Sequence, residues 1–149
     1  MKTIPNDIFF AEVERMLAEG QSAVITVQGN SMRPFMRSGR TQVLLSPCKA
    51  EELAAGDVVL FRYRGRHILH RIVNRTQDRL RLAGDGNYRI FEECATADVV
   101  AKVVAVIDRK GRQTSCQSRR WRWWSGCWLG LHPFIRRGVL WIMRKLGLN

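Results

Sequence analysis

Between residues 22 and 108 the chain is cut into short apolar segments rich in Val, Ile and Leu, separated by Gly, Asp or Asn. Segments this short, with breakers this frequent, predict strands joined by tight turns. The expected strands lie near residues 22–28, 42–45, 57–63, 67–73, 79–83 and 99–108. Arg64-Gly65-Arg66 is the expected hairpin turn between the third and fourth, and 108–111 is a further turn, followed by a polar stretch to Ser118. Before this β region, residues 1–20 carry an amphipathic helical pattern. Asn6 or Asp7 can cap it, Ile8, Phe9, Val13, Met16 and Leu17 form its face, and Gly20 can end it. The 149 residues suffice for one domain with a real core, and no internal repeat is evident.

The formal charge of +12 is unevenly placed. From residue 1 to 108, 15 Lys/Arg stand against 13 Asp/Glu; from 109 to 149 there are 10 Lys/Arg and no acid. A domain that reads DNA more often carries its basic residues on the folded body. A nearly neutral body with a basic tail points instead to an anionic surface, lipid or nucleic acid, met by the tail. Cys48, Cys94, Cys116 and Cys127 form no C-x-x-C pair and no zinc spacing, so reduced thiols and no metal are expected. The acidic and basic residues of the first helix interrupt any secretory h-region.

The tail, "RRWRWWSGCWLGLHPFIRRGVLWIMRKLGLN", holds all five tryptophans. A membrane span needs ~20 mostly apolar residues. Every such window here includes arginines, each costing ~2.5–3.5 kcal/mol near the bilayer centre. Pro133 is expected to separate two short helices. In the second, Ile135, Val139, Ile142 and Leu146 fall on one face, with Arg137 and Arg144 opposite. That pattern suits a helix lying in a membrane interface, and equally a helix docked on the β body with tryptophans filling core.

Taken alone, Ser31 in "QGNSMRPFM" reads as turn chemistry, and His70 as an ordinary strand residue. The order of segments adds to this. "GNSMRPFM" is followed by "GDVVLFRYRGRHILHRIV" and then "LAGDGN". This series, over about residues 24–108, resembles the type I signal peptidases and the related self-cleaving repressor peptidases. In that superfamily the nucleophile lies in a Ser-Met-x-Pro motif after a strand. A Gly-Asp-Val-Val box, the base and a further Gly-Asp box follow. The "LHRIV" context resembles the Ser-His branch, the endoplasmic-reticulum and archaeal type, rather than the Ser-Lys branch. None of Lys2, Lys49, Lys102, Lys110 and Lys145 falls in that box.

The resemblance implies a mostly β, signal-peptidase-like small domain over residues 22–112. An N-terminal amphipathic helix (1–21) precedes it and a Trp/Arg-rich helical tail (113–149) follows. It implies a serine endopeptidase that removes a leader or signal-like segment from a peptide or protein, without cofactor or metal. Ser31 is the expected nucleophile, His70 the base and Asp85 the group that orients His70, with Asp98 a weaker substitute. The Ser31 backbone N–H is the expected first oxyanion donor, with a second from residues 28–30. A serine hydroxyl needs an adjacent base, and an imidazole titrates near the working range. His67 is the competing base, but its odd spacing from His70 puts it on the opposite strand face.

The chain departs from the family pattern in two places. Gly39-Arg40 stands where a Gly-Asp is usual, and an amphipathic helix stands where the signal peptidases usually carry an anchor. The expected location is therefore cytoplasmic, or peripheral on the cytoplasmic face, with membrane contact through residues 119–149. Nucleic acid is the less favoured partner. The alternative function is a non-catalytic module of the same fold that binds a membrane surface or nucleic acid through the tail. A self-cleaving repressor ranks below both, because it would need a Lys base.

Overall fold

The computed structural model describes residues 6–148, with the backbone only at Tyr88. The expected first helix is present as α1 (Asn6–Ala18); residues 1–5 of that segment lie outside the described residues. Val13 and Leu17 are its buried residues, with Phe9, Phe10 and Met16 packed beside them. Gly20 follows at φ +79°, the left-handed conformation that ends helices.

The six expected strands all form. They are β1 (Ala23–Thr26), β2 (Gln42–Ser46), β3 (Val58–Tyr63), β4 (Arg66–Thr76), β5 (Arg79–Gly84) and β7 (Val99–Ile107). Two more were not expected: β6 (Asn87–Ala95) and β8 (Gln113–Ser115). All pairings are antiparallel, in the order β1-β2-β7-β3-β4-β5-β6, with β8 beside β7. The β3–β4 hairpin turns at Arg64 and Gly65, both at positive φ (49° and 75°), as the two-residue type I′ connection requires.

Register breaks at Leu44/Leu45, Leu60/Phe61, Ile72/Asn74 and Leu82/Gly84 bend the strands and curl the sheet. Both faces of its centre are consequently buried. Val58 and Leu60 join one core with α1, β1, β2, Met32 and Met36. Val59 and Phe61 join the other with Ile72, Leu80, Leu82 and Cys94. β3 therefore reads as a continuous apolar run rather than an alternating one.

The tail forms α2 (Arg119–Gly130) and α3 (Pro133–Lys145), separated at Pro133 as expected. Ser118 caps α2 by accepting a hydrogen bond from the Trp121 N–H, and His132 caps α3. The docked arrangement applies to part of the tail. On α2, Ser125 and Trp128 are buried and Trp121 packs on the core, whereas Trp123 and Trp124 are exposed. No residue of α3 is buried. Among the described residues no helix is long and apolar enough to cross a membrane.

Candidate active site

Ser31 stands on a bend five residues beyond the end of β1. Strand-like bonding continues past Thr26: Val27 N–H donates to the Thr41 carbonyl, and Gly39 N–H to the Val27 carbonyl. The chain then turns at Gly29 (φ +81°) and re-enters the core with Met32 and Met36, both buried. The Arg33–Pro34 peptide is cis. Ser31, between exposed Asn30 and buried Met32, is partly exposed at this turn.

Across from this bend lies the β5–β6 turn, and its two glycines have a steric reason. A methyl group added at Gly84 would collide with the Ser31 carbonyl oxygen. It would also stand 3.0 Å from Ser31 Cβ and 3.1 Å from His70 Nε2. At Gly86 it would meet the Asn30 carbonyl at 3.0 Å and the Arg33 carbonyl at 3.1 Å. These approaches are tighter than ordinary contacts between carbon atoms (~3.5–4.0 Å). Gly86 N–H closes the junction by donating to the Ser31 carbonyl at 2.8 Å. The same spot above Gly84 thus touches both Ser31 and the Nε2 edge of His70. The register explains why: Arg71 pairs with Ala83, so one step along brings Gly84 opposite His70.

His70 is buried on β4, and its Nδ1 lies 2.9 Å from Glu92 Oε2. Glu92, on β6, is itself nearly buried. In the tautomer whose Nδ1–H donates to the carboxylate, the lone pair sits on Nε2, the nitrogen that approaches Gly84. Glu92 lies on β6, outside the strands that the apolar pattern predicts, so no signal in the sequence marks it.

Asp85 does not occupy the place expected of it. It takes a bidentate pair from Arg71, at 2.8 Å from Nε to Oδ1 and 2.7 Å from Nη2 to Oδ2, with both side chains 1% exposed. The physical reason is strand alternation. Arg71 adjoins His70 and points to the other face, and Asp85 lies on Arg71's side of the turn. Arg71 also donates to the Gly56 carbonyl at 2.9 Å and lies against the rings of Phe35 and Trp121. Trp128 Nε1–H donates to the Asp85 backbone carbonyl at 3.0 Å. Asp85 therefore holds the turn that abuts Ser31, with both carboxylate oxygens given to Arg71, while the carboxylate bonded to His70 is that of Glu92. Asp98, the weaker substitute, caps its own short turn by accepting from the Ala95 N–H.

His67 and His70 face opposite ways, as expected. His67 Nε2 pairs with Glu14 at 2.6 Å, and its ring stacks on Phe10 at 4.3 Å, tying α1 to the hairpin. Asp57 of the Gly-Asp-Val-Val box accepts from the Ala54 N–H and pairs with Lys102 at 3.2 Å. Of the segment expected to hold a second oxyanion donor, the Gly29 N–H is committed to Ser38 Oγ at 3.0 Å.

Ser31 opens into a cleft of about 510 Å³. Its walls are residues 24–28, Phe9 and Phe10 of α1, and residues 67–69 of β4. β1 ends the strand order, paired with β2 on one edge, and the cleft lines its flank. Among the described residues no cluster of three or more His, Cys, Asp or Glu could hold a metal ion.

A small curled antiparallel domain preceded by one helix and followed by two fits a small β peptidase-like fold. The Peptidase S24-like family model matches residues 3–104, and the chain belongs to that family. No curated protein matches the chain. The family match spans α1 to most of β7 and leaves α2 and α3 outside it.

Proposed function

We propose that this chain is a serine endopeptidase of the Ser-His type that cleaves an extended leader or signal-like segment of a peptide or protein. The observation that carries the reading is the convergence above Gly84: Ser31 on one side, and on the other a His70 whose Nδ1 is held by the Glu92 carboxylate. Ser31 Oγ attacks the scissile carbonyl while His70 Nε2 takes its proton. The imidazolium, stabilised by Glu92, then delivers that proton to the leaving amine. Water repeats the sequence to release the acyl group and restore Ser31. The Ser31 backbone N–H is the proposed first donor to the oxyanion.

In this reading Glu92 takes the orienting role, and Asp85 with Arg71 fixes the turn that supports Ser31. The substrate lies along β1 as an added strand, because backbone bonds to a sheet edge hold an extended peptide whatever its side chains. The exposed edge residues Val24 and Thr26 border that path.

The test is covalent labelling with a serine-reactive phosphonate. Wild-type protein labels once per chain, Ser31→Ala does not label, and His70→Ala labels far more slowly. Undiminished labelling of Ser31→Ala, or no labelling of a wild type shown to be folded, would overturn the proposal.

A further inference from the structure

The peptidase reading leaves the outer surface of the tail unexplained. On α3 and its C-cap Leu146, Phe134, Ile135, Trp141, Ile142 and Leu146 are each at least half exposed, from 50% at Ile142 to 70% at Phe134. Trp123 and Trp124 add an exposed aromatic edge on α2, with their rings 4.9 Å apart. Contiguous apolar surface of this kind is uncommon on a monomer without a partner. Basic side chains accompany it, with Arg137 and Arg144 on the opposite side of α3 and Lys145 over the Trp141 ring, and residues 109–149 contain no acid at all. Between α3 and the β5–β6 turn is a cleft of about 780 Å³, lined by Arg89, Arg137, Arg144, Phe134 and Trp141, with Gly86 among its walls. No carboxylate lines it among the described residues.

We propose that α3 and the outer edge of α2 dock on an anionic bilayer surface, with the arginine-lined cleft receiving a lipid phosphate headgroup. Charge complementarity selects this occupant. A second copy of the chain would bring an equally basic tail against this one, with no acid to offset it. Nucleic acid would satisfy the arginines and could stack on tryptophan, but Ile135, Ile142 and Leu146 have no π-face and gain nothing from bases. A lipid interface serves both halves of the surface: headgroup phosphates meet the arginines, and the acyl boundary takes the aliphatic and aromatic side chains. At 13 residues α3 is too short to span, so it lies in the plane. The cleft adjoins Gly86, whose N–H holds the Ser31 carbonyl, so docking would bring the candidate site close to the membrane surface.

The experiment is flotation of the full chain with phosphatidylcholine vesicles, with and without phosphatidylglycerol, read alongside tryptophan emission. Binding with a blue shift is expected only when phosphatidylglycerol is present. The double variant Arg137→Ala/Arg144→Ala should weaken it about 30-fold, since each basic residue near an anionic surface contributes about fivefold. Ile142→Asp/Leu146→Asp should abolish the blue shift and weaken binding at least as much. Phosphonate labelling without vesicles should be the same in both variants as in wild type, which separates failure of docking from failure of the peptidase reading. Three results would overturn the proposal: no flotation with phosphatidylglycerol vesicles, binding unaffected by the aspartates, or tighter binding to duplex DNA than to those vesicles at equal salt.

Discussion

Gly84→Ala tests whether Ser31 and His70 meet where the geometry puts them. The added methyl would overlap the Ser31 carbonyl and crowd Ser31 Cβ at 3.0 Å and His70 Nε2 at 3.1 Å. None of the three can yield freely. The carbonyl accepts from Gly86 N–H, Ser31 is followed by buried Met32, and His70 is bonded to Glu92. Gly84 is not at positive φ, so the cost is one of space rather than backbone conformation. Overpacking of a tight site costs roughly 1–3 kcal/mol. Losing the Gly86–Ser31 hydrogen bond would add about 1 kcal/mol. For a chain of this size the sum lowers Tm by roughly 5–15 °C. Displacing the hydroxyl from the imidazole by about 1 Å should slow phosphonate labelling on the order of 100-fold. The assay is labelling rate and thermal melting on the same preparation, with Gly126→Ala as control. A methyl at Gly126, within α2, meets nothing within 4 Å, so both readouts should match or exceed wild type. A Gly84→Ala protein that melts and labels like wild type would refute the convergence.

Other substitutions separate the roles of the two acids. Glu92→Gln keeps a hydrogen-bond acceptor for His70 Nδ1 but removes the charge that stabilises imidazolium, so labelling should fall about 10²–10⁴-fold with little change in melting; an unchanged rate would remove Glu92 from the mechanism. Asp85→Ala strands the buried Arg71 guanidinium, a loss of about 3–5 kcal/mol, and should lower Tm by roughly 10 °C or more; a shift within error would mean that Arg71 finds another partner. Burial raises the Cys94 and Cys116 thiols to about 11, so both stay protonated at neutral pH and should resist iodoacetamide, while exposed Cys127 is alkylated first by mass spectrometry. Asp108 accepts hydrogen bonds from the backbone and side chain of Arg112 and from the Lys110 N–H, which hold its carboxyl below the usual range. A carboxyl lowered by folding stabilises above its unfolded value and loses that contribution as pH falls through the folded one. The Tm difference between wild type and Asp108→Asn should therefore be present at neutral pH and vanish in acid.

Sequence showed the fold wherever burial dictated it. β-branched residues and punctuating glycines located six strands, and Arg64-Gly65 located the hairpin, because those choices answer to local sterics. β6 escaped because "NYRIFEECA" lies at the end of the strand order, with Arg89, Ile90, Phe91 and Glu93 exposed and Glu92 and Cys94 turned inward. A strand whose buried row contains a glutamate has no apolar alternation to read. Without β6 there is no reason to place Glu92 beside His70, and the resemblance points to Asp85 in its Gly-Asp box instead. β8 has every residue exposed and exists through its pairing with β7, which no hydrophobic pattern reports. Ser31 and His70 are readable as candidates because their boxes, "GNSMRPFM" and "LHRIV", resemble the family motifs in order, and strand alternation sets His67 apart from His70. That Arg71 would bind Asp85 required knowing which strands are neighbours.

The hydrogen bond from Trp128 to the Asp85 carbonyl bears on where this protein can be cut. A boundary drawn at residue 112, by the end of the strands, would remove the Trp121 ring from one flank of Arg71 and the donor from Asp85. It would leave a buried ion pair facing water, one turn away from the serine. The smallest fragment that keeps the turn braced runs to the end of α2 at Gly130. In that sense α2 is a brace added late in the chain to a candidate site assembled from its middle, whereas α3 contributes no buried residue.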